Sequence, residues 1–129
     1  IKNTPGSIGY LSSAYVNESI QTAAIENLSG EFLLPTVKSG SIALKNLGIQ
    51  NQLPIINPNP KEKGAYPIST LTWIWVYKNG YGEKLDEIKT TLNFLVSKEA
   101  KNKAVKMGFI PLNEKLLDHA TKSIKDIGI

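Results

Sequence analysis

The chain has 129 residues, 41% of them hydrophobic and 20% charged, with a formal net charge of +4 and no cysteine. This is the balance of one globular domain; it excludes intrinsic disorder, disulfides, thiolate metal sites and cysteine nucleophiles. All fifteen cations are lysines, and without the bidentate arginine fork that grips phosphate and reads guanine edges, the charge reads as a solvated lysine surface with no nucleic-acid partner expected.

The first segment of interest is Thr4-Pro5-Gly6-Ser7-Ile8-Gly9-Tyr10. Pro5 pre-sets φ for a turn, Gly6 and Gly9 permit positive φ or close backbone approach, and the short apolar stretch predicts a buried strand. The hydroxyls of Ser7 and Tyr10 stand where such a strand would border a cleft, which makes these two residues the candidate ligand-binding positions. A two-glycine backbone clamp on nucleic acid is the weaker reading, because it needs helical flanks and supporting basic residues.

Ser12 or Ser13 is placed to cap a short helix through Tyr15 and Val16, and Ile20 to Leu28 is expected to bring Ala23, Ala24 and Ile25 toward the core. Asn27-Leu28-Ser29-Gly30 reads as a turn and Glu31 to Leu34 as a short extended piece. Pro35 opens a helix over Thr36 to Leu47, with Val37, Ile42 or Ala43, and Leu47 along one side and Gly48 as its stop. Residues 49–64 hold Pro54, Pro58, Pro60 and the Lys61-Glu62-Lys63-Gly64 run without periodicity, so they predict a loop and the best boundary between two lobes.

Ala65-Tyr66-Pro67-Ile68-Ser69 is biased extended by the residue-before-proline restriction and leads into Leu71-Thr72-Trp73-Ile74-Trp75-Val76-Tyr77. That nearly continuous β-branched and aromatic run predicts a strand covered on both faces, as in the centre of an α/β sheet. It is too short to span a bilayer, and no basic-then-apolar leader opens the sequence. Trp73 and Trp75 share one face of the strand, where core packing outweighs stacking on a base or sugar.

Asn79-Gly80-Tyr81-Gly82 ends the strand. Leu85, Ile88, Leu92 and Leu95 then recur at helical spacing, Lys98 to Met107 continues as a second helical piece stopped at Gly108, and Phe109 to Leu112 forms an extended link. Asn113 caps a final helix whose buried stripe is Leu116, Leu117, Ala120, Ile124 and Ile127, with Lys122 and Lys125 facing the negative end of its dipole. Lys98, Lys101, Lys103 and Lys106 line one helical piece, read as a solvated face ahead of an acidic-partner surface.

Candidate chemistry is sparse. Gly80-Tyr81-Gly82-Glu83-Lys84 is too short for a phosphate-binding P-loop. His119 is the single histidine, which rules out a multi-histidine metal site within the chain. Of Asp118, His119 and Ser123, only the last two share a helix face, so a triad is not expected. No catalytic residue, metal or cofactor is predicted.

Four segments carry a resemblance: Thr4 to Tyr10, Asn27/Gly30/Phe32/Pro35 in an Asn-x-x-Gly-x-Phe-x-x-Pro pattern, Ala65 to Lys78, and Met107-Gly-Phe-Ile-Pro-Leu-Asn. In order and spacing they are similar to the C-terminal portion of the phosphate-binding protein of bacterial high-affinity phosphate ABC importers. The resemblance implies an α/β, two-lobed type II periplasmic binding-protein fold with a mixed sheet flanked by helices. Residues 1–64 would be the remainder of the second lobe, and 65–129 the hinge return and C-terminal part of the first. It further implies a non-enzymatic solute-binding protein in the periplasm or cell envelope that captures inorganic phosphate and delivers it to a membrane permease. The family's Arg-x-Asp-x-Ser-Gly-Thr type ligand segment has no match here, so the chain would lack the main phosphate donors. The alternative expectation is a protein-interaction or self-associating scaffold module with no small-molecule ligand of its own; a phosphate-ester hydrolase is the poorest fit.

Overall fold

The computed structural model describes residues 3–45, 47 and 61–129. Among them the fold is mostly helical. Four α-helices follow a two-stranded antiparallel sheet: β1 (Ile25–Glu26), β2 (Phe32–Leu33), α1 (Val37–Leu44), α2 (Leu85–Leu95), α3 (Lys98–Lys106) and α4 (Glu114–Lys125). Single 3-10 turns at Ser13–Tyr15 and Gly82–Lys84 precede β1 and α2.

Local chemistry explains where the helices begin and end. Thr36 caps α1 reciprocally: its Oγ1 accepts from Ser39 N at 3.1 Å while Ser39 Oγ accepts from Thr36 N at 3.1 Å, so the Ser39 amide, otherwise orphaned at the helix start, is satisfied and the Thr36 amide, which also donates to Leu34 O at 3.0 Å, gains a second acceptor. The expected stop at Gly48, like residues 49–60 of the expected loop, lies outside the described residues. Ser97 caps α3 by accepting from Ala100 N at 3.2 Å. Beyond its other end Gly108 adopts φ +82°. There Phe109 N donates to Ala104 O at 2.9 Å and Gly108 N to Val105 O at 3.1 Å, a Schellman closure that favours glycine.

Helix α2 packs on α4, with Lys89 Nζ reaching the carbonyl of Lys125 at 3.3 Å. Leu85, Ile88 and Leu92 are half-buried as their spacing predicts, whereas Leu95, at the last turn, is exposed. Along α4 and just past its end the predicted stripe holds: Leu116, Ile124 and Ile127 are buried, and Leu117 and Ala120 half-buried. The next glycine, Gly128, donates its N–H to Lys78 O at 2.7 Å, tying the end of the chain to the end of the 71–77 run.

The apolar core among the described residues is small: Ala43, Leu44, Ala65, Leu116, Ile124 and Ile127. Gly40 lets it close, because a Cβ there would collide with Ile110 Cδ1 and stand 3.0 Å from Ile110 Cγ1. Three expectations are corrected. The Leu71 to Tyr77 run forms no regular strand, and Ile74, Trp75, Val76 and Tyr77 are exposed; β-propensity fixes a strand only when a neighbour supplies the ladder, and among the described residues the sheet pairs only β1 with β2. Residues 7–10 are likewise exposed and non-strand although the turn before them forms; Ile8 and Tyr10 both stand in solvent, so no apolar contact holds the segment extended. Ala23 and Ala24 are exposed while Ile25 is half-buried, because of the three only Ile25 enters the pairing with β2. The mixed sheet expected of the fold is thus represented by the β1–β2 hairpin alone among the described residues.

Candidate functional site

The hairpin carries a cluster of hydrogen-bonded polar side chains. Ile25 pairs with Leu33 and Glu26 with Phe32, and Gly30 turns the chain at φ +81°. Asn27, buried in the bend, accepts through Oδ1 from Ser29 N at 3.0 Å, Ser29 Oγ at 2.7 Å and Glu31 N at 3.0 Å. Its Nδ2 donates outward to Ala65 O at 3.2 Å and Glu62 O at 3.3 Å. A buried amide must satisfy both its donors and its acceptor, and Asn27 does so by stapling the hairpin to residues 62–65.

Glu31 completes the connection. Its Oε2 accepts from Gly64 N at 2.6 Å and Ser29 Oγ at 3.1 Å. The Gly64 amide, foremost, together with Ser29, Asn27 and the nearby charge of Lys63, holds the Glu31 carboxyl below the ordinary glutamate range against a smaller opposing effect of desolvation. Gly64 adopts φ +77°, the left-handed conformation that aims its N–H at the carboxylate. From there Tyr66 N donates to Ser39 O at 3.1 Å and Ser69 Oγ to Tyr66 O at 3.0 Å, which runs residues 65–69 along α1. Burial raises the Tyr66 phenol above its usual range.

At the other end of α1, Asn113 serves two helices. Its Oδ1 accepts from Leu116 N at 2.9 Å, the predicted cap of α4. Its Nδ2 donates to Leu44 O at 2.7 Å and Leu47 O at 2.9 Å where α1 ends, alongside the Leu47 N–H that Leu44 O already accepts at 3.1 Å. These polar centres use their capacity inside the fold. They position segments and leave little with which to hold a solute.

The candidate ligand residues sit elsewhere. Ser7 lies in an exposed turn closed by Ser7 N donating to Thr4 O at 3.2 Å, with Gly6 at φ +76°; Tyr10 is fully exposed. The following residues anchor this segment, Ser13 Oγ donating to Gly108 O at 3.2 Å. Shallow concavities occur beside α2 and at the end of α4. One, of about 370 Å³, is lined by Val76, Tyr77, Lys78, Ser123, Asp126 and Ile127. The other, of about 300 Å³, is lined by Val76, Lys84, Glu87, Ile88, Thr91 and Leu92. Neither includes Ser7 or Tyr10, and each sets one lysine against one carboxylate, a poor balance for an anion. The amides that Thr36, Ser97 and Asn113 cap at the starts of α1, α3 and α4 already bond side-chain oxygens, so they are not open anion donors. His119 and Asp118 are exposed on α4. No helix is long and apolar enough to cross a membrane among the described residues.

Sequence reasoning read residues 27–30 as a turn and Asn113 as a cap. It missed that Asn27, Glu31 and Gly64 form one cluster and that Asn113 also closes α1. The only local signal was the run of short polar side chains around a glycine, which marks self-bonding turns but not their distant partners.

Comparison with known proteins finds a relative among binding proteins. The phosphate-binding protein PstS of Methanocaldococcus jannaschii is 28% identical over 129 aligned residues, a match covering 88% of this chain and 33% of the relative. The chain is a distant homologue of that protein and spans about a third of its length. No family model matches the sequence.

Proposed function

We propose that the chain is part of a non-enzymatic solute-binding protein that captures inorganic phosphate at the cell envelope and hands it to the membrane permease of an ABC importer. The observation that carries this reading is the similarity to PstS along 88% of the chain. It is supported by the internal use of the Asn27, Glu31 and Asn113 groups, which suits a structural share of a larger fold. Residues 1–64 then belong to the second lobe of a type II binding-protein fold, and residues 65–129 carry the hinge return and the C-terminal part of the first. Ser7 and Tyr10 border the cleft in this reading, while the main phosphate donors come from segments other than these.

A chain without arginine and with side-chain oxygens already capping α1, α3 and α4 binds phosphate weakly or not at all alone. Isothermal titration of the chain with phosphate, run beside the complete parent polypeptide, tests this. Tight binding by the parent and none by the chain is expected. A parent that ignores phosphate overturns the assignment, and micromolar binding by the chain overturns the division of the site.

A further inference from the structure

Asn79 is the one asparagine of the sequence that is followed by a glycine. In such a pair the main-chain nitrogen of the glycine can close a five-membered ring on the asparagine Cγ, and glycine has no Cβ to obstruct the approach. Closure needs an asparagine amide that is not committed elsewhere and a main chain able to rotate. The fold withholds one or the other from most of the described asparagines. Asn27 and Asn113 spend their side chains on the hairpin staple and on the α1–α4 junction. Asn17 Oδ1 accepts from Ser19 N at 3.0 Å and Ser19 Oγ at 2.6 Å. Asn93 and Asn102 stand inside α2 and α3, where the helical ladder fixes the backbone and engages its amides. Asn3 precedes Thr4, whose branched side chain crowds the attacking nitrogen.

Asn79 sits differently. It lies in a bend ahead of the Gly82–Lys84 turn, outside any helix or strand, and both Asn79 and Gly80 are exposed. Gly80 adopts φ +96°, in the region that favours glycine. A Cβ built on it meets no described atom within 4 Å, so the pair rotates without displacing a described neighbour.

We propose that Asn79 is a self-modification site, at which the folded chain converts its own Asn79–Gly80 linkage to an aspartyl or isoaspartyl one. The Gly80 nitrogen loses its proton to base and attacks Asn79 Cγ. The N–Cγ bond forms, the Cγ–Nδ2 bond breaks and ammonia leaves, giving a succinimide. Water then opens the ring. Cleavage of the N–Cγ bond restores the ordinary main chain with an aspartate side chain, and cleavage of the original peptide bond leaves the main chain running through Cβ and Cγ. One water enters, one ammonia leaves, and nothing is oxidised or reduced. Either product exchanges a neutral amide for a carboxylate and lowers the formal net charge of +4 by one unit. The isoaspartyl form also lengthens the main chain by one carbon between Lys78, whose carbonyl accepts from Gly128 N at 2.7 Å, and the turn that leads into α2.

The test is incubation of the 129-residue chain in mildly alkaline buffer, with peptide mapping by mass spectrometry at each asparagine over time. An isoaspartyl O-methyltransferase with S-adenosylmethionine reports the isoaspartyl form, and a synthetic peptide of residues 76–82 gives the rate of the same linkage without a fold. Asn79 is expected to convert about tenfold or more faster than Asn27, Asn93, Asn102 and Asn113, and within about tenfold of the peptide. The conversion should slow in mildly acidic buffer, because the attacking nitrogen must lose its proton. Asn79→Gln, which would have to close a larger ring, should remove the methyl acceptance while leaving the helical circular dichroism unchanged. A rate in the chain more than about tenfold below that of the peptide would mean that the fold locks the bend, and it overturns the proposal. Conversion at Asn79 no faster than at Asn93 or Asn102 overturns it too, as does methyl acceptance that survives Asn79→Gln. None of these outcomes depends on whether the chain binds phosphate.

Discussion

Replacing Asn113 with alanine removes two jobs at once. The α4 cap from Oδ1 to Leu116 N at 2.9 Å contributes about 1 kcal/mol by the usual cost of deleting an N-cap. Loss of Nδ2 also strips the donors at 2.7 and 2.9 Å from the carbonyls of Leu44 and Leu47; Leu44 O keeps the Leu47 N–H at 3.1 Å, so the cost falls mainly at Leu47 O, at roughly 1–3 kcal/mol when it finds no water. Asn113→Ala is therefore expected to lose about 2–4 kcal/mol. Asn113→Asp separates the two contributions: the carboxylate remains a good N-cap at the positive end of α4, but it cannot donate to the α1 carbonyls and sets a negative charge beside them. Urea unfolding followed by circular dichroism at neutral pH reads both variants. With a urea slope of about 2 kcal/mol/M, Asn113→Ala should move the midpoint down by about 1–2 M, with the aspartate variant also clearly destabilised. An aspartate variant as stable as the parent would refute the claim that Asn113 holds α1 to α4, leaving it a cap only.

Other consequences are local. Because Gly64 N holds the Glu31 carboxyl below its ordinary range, its contribution is present above the unfolded glutamate pKa of about 4.3 and fades as pH falls through the lower folded value. Glu31→Gln should thus be less stable than the parent at pH 7, with the difference shrinking in acid; unfolding midpoints whose difference stays constant from pH 7 to pH 3 would contradict this. At Gly40, where even a Cβ would collide with Ile110, Gly40→Leu should cost roughly 1–3 kcal/mol by overpacking. Thermal melts of Gly40→Leu with and without Ile110→Ala check it: the second change should recover part of the loss, and no recovery would place the strain elsewhere.

The parts legible in the sequence are those whose causes are local. Asn113 stands three residues before a buried leucine at the head of a 3.6-residue stripe, and Gly108 follows the last periodic residue of α3, so both boundaries could be read directly. The hairpin was half legible: Asn27 to Gly30 announced a turn, but pairing of Ile25 with Leu33 needed the register that only the folded chain reveals. For Leu71 to Tyr77 the composition records a strand preference, while coverage depends on what lies beside it, and Trp75 and Tyr77 remain exposed. Ser7 and Tyr10 are candidates as hydroxyls near an expected strand mouth; the described residues show them exposed, and what they face in a larger fold is not encoded in their own neighbourhood. Glu31 and Gly64 are separated by 33 positions, and nothing in either neighbourhood encodes the other.

The central claim is that this chain is a scaffold portion of a phosphate-capturing protein whose main anion donors lie in other segments. Calorimetric titration with inorganic phosphate tests it most directly. The account predicts no saturable binding by the 129-residue chain at micromolar phosphate and tight binding by the complete parent polypeptide; micromolar binding by the chain, or none by the parent, would contradict it.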